Sequence, residues 1–347
     1  VSPDSGSTPS TSHKRRPRYS GKNPRRFDQK YKERDPHHHP ETVAKVLASG
    51  KTPAGTHRPI MVAEILEALQ PAPGDFAVDC TLGYGGHARA ILERISPGGR
   101  LLGIDADPIE MARTEERLRK AGFGPDMLLC SRSNFAALPK ILAGEPRSRA
   151  DLILADLGVS SMQIDDPSRG FSVREDGPLD MRMNPQRGQS AAALLSTIRK
   201  EALVEILTQN ADEPFAVMLA EGLAGRTLRT TRELASAVRL QLRGQNAAAI
   251  EGAVRRVFQA IRIEVNDEFG VLDVLLRQLP EALAAGGRVA VLSFHSGEDR
   301  RVKKAFEQGL RAGVYARVAP GPIQAGPGER RENTRSSSAK LRWAVRA

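Results

Sequence analysis

Along the chain, short apolar runs alternate with stretches whose apolar residues recur every three or four positions. Residues 76–80 form the first run and lead into a glycine-rich turn; after it, Ala88, Ile91, Leu92 and Ile95 lie on one helical face. Residues 100–105 read as a strand, 108–121 as a helix with proline in its first turn, and 127–131 as a strand. A helix over 135–142 then leads to an apolar strand at 151–157. Strand–helix units of this length predict a parallel sheet with helices on both faces.

The alternation stops after residue 157. Residues 158–188 are rich in Gly, Pro, Ser and Asp, and an ordered loop of that length is uncommon unless it is functional. Helices are expected at 191–207 and 230–242, the second opened by a Thr230-x-x-Glu233 capping box. The alternation resumes with a helix at 263–283 and a strand at 288–294. A helix carrying Val302, Ala305, Phe306 and Leu310 on one face follows, then a last edge strand at 339–345. The expected architecture is an open α/β sheet built from 51–160 and 255–347, with a mostly helical domain, 161–254, inserted after the fourth strand.

Composition narrows the function classes. With 347 residues, 40% of them hydrophobic and 27% charged, the chain can bury a sizeable core. No apolar run approaches the ~20 residues of a spanning helix, so no membrane partner is expected. Two cysteines, Cys80 and Cys130, exclude a disulfide scaffold or a Cys-rich zinc module, and no metal is implied. The net charge of +11 favours a polyanionic partner, while 4% aromatics argue against base-stacking platforms. The first 40 residues hold ten lysines and arginines against four acids. Residues 1–50 therefore read as a basic, disordered, phosphate-binding arm, with a leader or targeting remnant as the alternative. His37, His38 and His39 suggest only adventitious metal binding.

Candidate chemistry gathers at the expected carboxyl ends of strands, where open sheets bind ligands. The first strand ends Asp79-Cys80-Thr81-Leu82-Gly83-Tyr84-Gly85-Gly86-His87, and the second ends at Asp105, 22 residues after Gly83. The fourth ends at Asp156. Glycines allow close main-chain approach to a ligand, and a distal acid can accept from a ribose diol. Gly83-x-Gly85-x-x-Ala88 passes as a dinucleotide fingerprint, which keeps an NAD-dependent oxidoreductase in view. However, four residues separate that glycine from the strand, and Asp79 would repel a diphosphate. The early acid favours S-adenosylmethionine, whose amino-acid moiety carries an ammonium. Outside the arm the histidines are His57, His87 and His295, each expected at the cofactor edge.

From about residue 56 to the end, the chain resembles the bacterial ribosomal RNA small-subunit methyltransferase H group, also called MraW. The resemblance rests on His57-Arg58-Pro59-Ile60-Met61, Gly85-Gly86-His87, Asp156-Leu157-Gly158-Val159-Ser160-Ser161 and Arg169-Gly170-Phe171-Ser172. It continues through Asp176–Met183, Phe258–Ile263 with Val265-Asn266, Ser293-Phe294-His295-Ser296, Glu298-Asp299-Arg300 and Ser338–Arg342. It implies a class I S-adenosylmethionine-dependent methyltransferase fold, Rossmann-like, in which 161–254 is a substrate-recognition insert. The implied activity is methylation of the exocyclic amine of a decoding-centre cytidine in small-subunit rRNA, with that rRNA or the small subunit as partner. Carried over, the cofactor residues are Gly85, Gly86, His87, Asp105, Phe135, Asp156 and Gln163. The chain departs from the family pattern at 210–214, 252–254 and 334–337, all expected near the RNA side.

The candidate catalytic residue is Asp156, which could accept a hydrogen bond from the amine and localise its lone pair; the competing role is cofactor orientation. Arg169, Arg174, Arg182 and Arg187 could clamp an extruded nucleotide or pair with the acids of their own loop. Arg300, Arg301, Lys303 and Lys304 are candidates for RNA contact or a solvated face. A non-enzymatic ribosome-assembly factor is the third reading. The expected location is the bacterial cytoplasm, with an organelle matrix as the alternative.

Overall fold

In the computed structural model, which describes residues 59–347, the run at 76–79 is an internal strand of one seven-stranded sheet. The arm, the three-histidine run and His57 lie outside the described residues. β1 (Phe76–Asp79) is buried at every position and pairs in parallel with β2 (Arg100–Asp105) and β4 (Ala150–Asp156). A strand covered on both faces has no solvent side, so its residues are apolar in succession rather than alternately. β3 (Leu128–Arg132) continues the parallel sheet beyond β2, and β5 (Leu283–Ser293) beyond β4.

Two antiparallel strands complete the sheet. β7 (Lys340–Arg346) pairs with β5, and β6 (Tyr315–Val318) pairs with β7, giving the order β3-β2-β1-β4-β5-β7-β6. The last strand is therefore internal, and the short β6, which periodicity did not reveal, forms the edge. A dinucleotide-binding sheet runs 3-2-1-4-5-6 without the intervening antiparallel strand; this is the class I methyltransferase arrangement. The strand order reverses between β1 and β4, so the ligand crevice lies outside their carboxyl ends.

Successive side chains of the central strands enter opposite cores. Ala77, Leu101, Leu152 and Leu154 pack with α1 (Val62–Leu69), α2 (Gly86–Ile95) and α3 (Pro108–Lys120). Val78, Leu102, Ile153 and Ala155 face the other way, against α4 (Leu138–Leu142) and later helices.

The 158–188 segment is ordered by its own polar groups. Ser160 and Gln163 form a reciprocal capping box that opens α5 (Ser161–Asp165). Leu179 and Met181 are buried in a third apolar cluster that runs to Ile261. This cluster is built by α6 (Ala191–Thr197), α7 (Lys200–Ala211), α8 (Ala216–Leu223), α9 (Thr231–Gln241) and α10 (Ala247–Asn266). The single helix expected at 191–207 is two helices, with Ile198 and Arg199 extended between them. Thr197 bonds back to the Ala193 carbonyl at 3.1 Å, a side-chain competitor for helix continuation. At α9 the cap forms as expected from Thr230 to Glu233 N, but Glu233 turns to Arg229 N instead of closing the box.

The helix expected at 263–283 spans a break. α10 ends at Asn266, the chain reverses through Asp267 at φ 49°, and α11 (Glu268–Ala282) begins. No glycine or proline marks the reversal, because aspartate tolerates the left-handed region. Val254 and Val257 lie in one core within α10, so the expected boundary at 254–255 falls inside a helix. α11 and α12 (Ser296–Arg311) then cover the second sheet face, and α13 (Pro327–Glu332) precedes β7. Among the described residues no helix is long and apolar enough to cross a membrane.

One glycine closes the long segment onto the helices. Thr231 N donates to the Gly177 carbonyl, and a Cβ on Gly177 would lie 1.9 Å from the Pro167 carbonyl oxygen. Main chain cannot swing aside as a side chain does. Gly177→Ala should therefore cost about 1–3 kcal/mol in denaturant titrations; an unchanged midpoint would mean that this approach is not enforced.

Candidate active site

The glycine loop is held from beneath by α3. Gly85 has φ 80°, and a Cβ there would lie 2.7 Å from Thr114 Cγ2. Thr114 Oγ1 donates to the Gly83 carbonyl, while Arg117 donates to the Tyr84 carbonyl and lies 3.7 Å over the Tyr84 ring. Gly86 and His87 then open α2. Burial lowers the Arg117 pKa.

Asp105, at the end of β2, braces the loop. Its Oδ2 accepts from Gly83 N at 2.7 Å and its Oδ1 from Asp107 N at 2.8 Å. Each oxygen retains a second lone pair. Burial pushes its pKa up to about 6, against the two main-chain bonds. Asp79 is fully buried at the end of β1, where Oδ1 accepts from Thr81 N; burial lifts it to about 6 while nearby His87 opposes the rise. Thr81 Oγ1 accepts from Asp156 N at 2.7 Å, locking the ends of β1 and β4 together.

His87 and Asp156 meet across this junction. His87 Nε2 lies 2.9 Å from the Ile60 carbonyl oxygen, and Nδ1 lies 3.5 Å from Asp156 Oδ2. The Asp156 side chain keeps 22% of its surface, yet Oδ1 is shielded and has no hydrogen-bond partner among the described residues. Burial, with the charge of Glu298 added, raises the Asp156 pKa to about 7. His87 moves the other way, its pKa lowered by burial.

Beyond Asp156 the wall is Phe294, His295 and Glu298. Glu298 Oε2 accepts from Phe294 N at 2.8 Å, and His295 Nε2 is 3.2 Å from Oε1. Burial would raise the Glu298 pKa, but His295 and Arg262 outweigh it and the net shift is downward. Phe135 is half-buried in the turn after β3 and packs on the second sheet core.

Gln163, expected to touch cofactor, spends its amide on the protein. Oε1 accepts from Ser160 N at 3.0 Å, and Nε2 donates to Asp107 Oδ2 at 2.9 Å. Asp107, missed in the sequence, is 1% exposed and caps α3 through Ile109 N. Its signal was the Asp-Pro pair at an N-cap followed by N1. Arg169 donates to the same Asp107 Oδ2 at 2.8 Å and to the carbonyls of Arg182 and Met183. Asn266 holds that stretch from the end of α10, accepting from Met183 N and donating to the Met181 carbonyl. A continuous polar chain therefore runs from Asp105 to the helical cluster.

For two of the four loop arginines these bonds bear out the internal-pairing alternative. Arg169 is buried on Asp107, and Arg182 pairs side-on with Asp180 at 2.7–2.8 Å, so both serve the loop itself. Arg174 and Arg187 are exposed. On α12, Arg300 pairs with Asp212, Arg301 stacks 3.7 Å over Phe269, and Lys303 lies 3.7 Å from Glu307. In the departures at 210–214 and 252–254, Asn210 bonds the Ala260 carbonyl, Glu213 pairs with Arg256 and Gly252–Val254 are buried, while Asp212 and Pro214 are exposed. In the third, Arg335 pairs with Asp165 of α5. Cys80 and Cys130 are unpaired, and burial pushes both thiol pKa values up. Among the described residues no three potential ligand side chains converge on a metal position.

Asp79, Asp105 and Asp156 each bind a proton more tightly folded than unfolded. The stability they lend is complete below about pH 4 and is lost as pH rises through 6 to 7. Without ligand, Asp156→Asn should match the wild type near pH 4 and exceed its stability by about 1–3 kcal/mol at pH 8. Parallel stability curves across that range would contradict this charge balance.

Comparison with known proteins agrees with the geometry. Residues 54–347 match the MraW methylase family. Ribosomal RNA small subunit methyltransferase H 2 of Alkaliphilus metalliredigens is 48% identical over 343 residues, covering 96% of this chain and 97% of that protein. Ribosomal RNA small subunit methyltransferase H 1 of Lachnoclostridium phytofermentans is 46% identical over 344 residues, covering 96% and 93%. Solved structures align remotely: a rRNA methylase from Streptococcus thermophilus gives a TM-score of 0.38 at 10% identity, covering 82% of this chain and 93% of that one. With its sheet order, its glycine loop and this match over nearly the whole described chain, the protein belongs to the MraW methylase family.

Proposed function

We propose that the protein transfers a methyl group from S-adenosylmethionine to the exocyclic N4 of a decoding-centre cytidine in 16S-type rRNA of the small ribosomal subunit. The observation that carries the cofactor half is Asp156 Oδ1, a shielded acceptor without a partner among the described residues, in a crevice where burial has already raised three carboxyl pKa values. A cationic ligand relieves that strain, and the sulfonium and ammonium of S-adenosylmethionine are such charges. A dinucleotide would bring a diphosphate to the start of α2, beside Asp79 and Asp156, where helix N-termini normally hold it. The acids make that seat repulsive. A non-enzymatic assembly role would leave the same acids without a use.

When bound, S-adenosylmethionine supplies an electrophilic methyl group. Asp105 offers its remaining lone pairs to ribose hydroxyls, Phe135 an apolar face to adenine, and Gly85, Gly86 and His87 close main-chain approach. Gln163 acts through Asp107, holding α5 against the end of β2. Cytosine's amine is a poor nucleophile because its lone pair is delocalised into the ring. Asp156 accepts a hydrogen bond from that amine, localising the pair, and then takes the proton that must leave. Positioning supplies the remaining rate, since the displacement is in line.

The helical cluster and the 158–188 segment supply the RNA side, and the basic arm adds phosphate contacts. The target base leaves its stack at a cost of a few kcal/mol. This reading places the protein in the bacterial cytoplasm with its rRNA substrate.

Mass mapping of small-subunit rRNA from cells lacking the protein tests the assignment. One decoding-centre cytidine should lose a methyl group, regain it with the wild-type chain, and remain unmodified with Asp105→Ala. An unchanged cytidine pattern in the deletion strain would overturn it.

A further inference from the structure

The crevice carries more acid than its own cations balance. Asp79, Asp105 and Asp156 come from β1, β2 and β4, Glu298 from α12, and Glu329 of α13 approaches His87. Arg262 is committed to Glu268 through two bonds of 2.8–2.9 Å. His295 lies against Glu298, Nε2 to Oε1 3.2 Å, with neither ring nitrogen in a hydrogen bond among the described residues. Among the described residues, His87 is the basic side chain within 4 Å of an Asp156 oxygen.

Its tautomer is set by the main chain. A carbonyl oxygen only accepts, so His87 Nε2, 2.9 Å from the Ile60 oxygen, carries a hydrogen in either charge state. Nδ1 is left facing Asp156 Oδ2 at 3.5 Å. With no proton between them, two lone pairs oppose each other. With one proton, on Oδ2 or on Nδ1, the contact is favourable. The pair is therefore built to hold a single proton, and Oδ1, shielded and without a partner among the described residues, is its remaining acceptor.

We propose that His87 and Asp156 form a one-proton dyad that responds to the charge on the donor's sulfur, empty beside a sulfonium and filled beside a thioether. The proposal rests on the S-adenosylmethionine reading and extends it to a proton count. Methyl transfer breaks a C–S bond, whose electron pair stays on sulfur, and forms an N–C bond from the amine lone pair. One N–H proton must then leave the nitrogen. Sulfur loses one positive charge and the dyad gains one proton, so the charge of the crevice is the same before and after transfer. Burial raises the Asp156 pKa to about 7 and lowers that of His87, which brings this exchange near neutral pH.

Isothermal calorimetry on the full chain tests the dyad. S-adenosylmethionine and S-adenosylhomocysteine are titrated near pH 7 in buffers of different ionisation enthalpy, which yields the protons released on binding. Both ligands carry the same ammonium and carboxylate, so those charges cancel in the comparison, and the Asp156→Asn variant separates the dyad from Asp79, Asp105, Glu298 and Glu329. The difference isolates the sulfur. The wild type should release close to one proton more with the sulfonium than with the thioether, and its affinity ratio for the two should rise with pH. In Asp156→Asn that difference should vanish while S-adenosylhomocysteine still binds. In His87→Gln the pH at which the difference is greatest should move. Equal proton counts in a wild type that binds both ligands would overturn the dyad, as would a difference that persists in Asp156→Asn. Failure to bind either ligand would instead overturn the methyl-donor reading on which it rests.

Discussion

Carboxyl groups set at the ends of buried parallel strands are the constraint on which this structure turns. The main chain of β1, β2 and β4 carries Asp79, Asp105 and Asp156 to one edge, where neighbouring helices strip them of water. Desolvation disfavours their ionised forms. The protein answers in part with main-chain donors: Gly83 and Asp107 to Asp105, and Thr81 to Asp79. It does not answer at Asp156 Oδ1. A crevice so arranged is selective before any ligand contact is made, because it favours cations and resists phosphate.

The second feature is the polar chain that joins the crevice to the helical cluster. Asp105 accepts from Asp107 N, Asp107 Oδ2 receives Gln163 and Arg169, Arg169 reaches the carbonyls of Arg182 and Met183, and Asn266 holds that stretch. Each link is short, and its central members are buried. Met181, at φ 63°, sits in this stretch with a strained backbone that its neighbours enforce. The segment that borders the reaction site is thus fixed at both ends, by the sheet on one side and by α10 on the other.

Much of this was legible because it is periodic or punctuated. The parallel strands announced themselves as apolar runs, and Gly85, Asp105 and Asp156 stand where strand ends and turns require them. What was not legible depended on distant partners. α8 and α10 each open on a short apolar run, 216–220 and 247–250, that shows no helical period, and Asp267 reverses the chain without a glycine. β6 has only four residues, and its place at the edge follows from pairing with β7. Whether Arg169 and Arg182 clamp a nucleotide or pair internally stayed open in the sequence, and Asp107 and Asp180 beside them decide it. The bond from the Gln163 amide to Asp107 is likewise beyond what the sequence shows. Charge in a sequence shows that a partner is needed and leaves open whether that partner is internal.

The proposed function rests on the same electrostatics: an acidic crevice at a topological switch point, a glycine loop beside two buried acids, and a shielded carboxylate oxygen with no partner among the described residues. The direct measurement is equilibrium binding of S-adenosylmethionine and NADH to the same protein at pH 8, where the crevice acids are ionised. Saturable binding of S-adenosylmethionine with none of NADH is the result this account predicts. A preference for NADH would contradict it at its root.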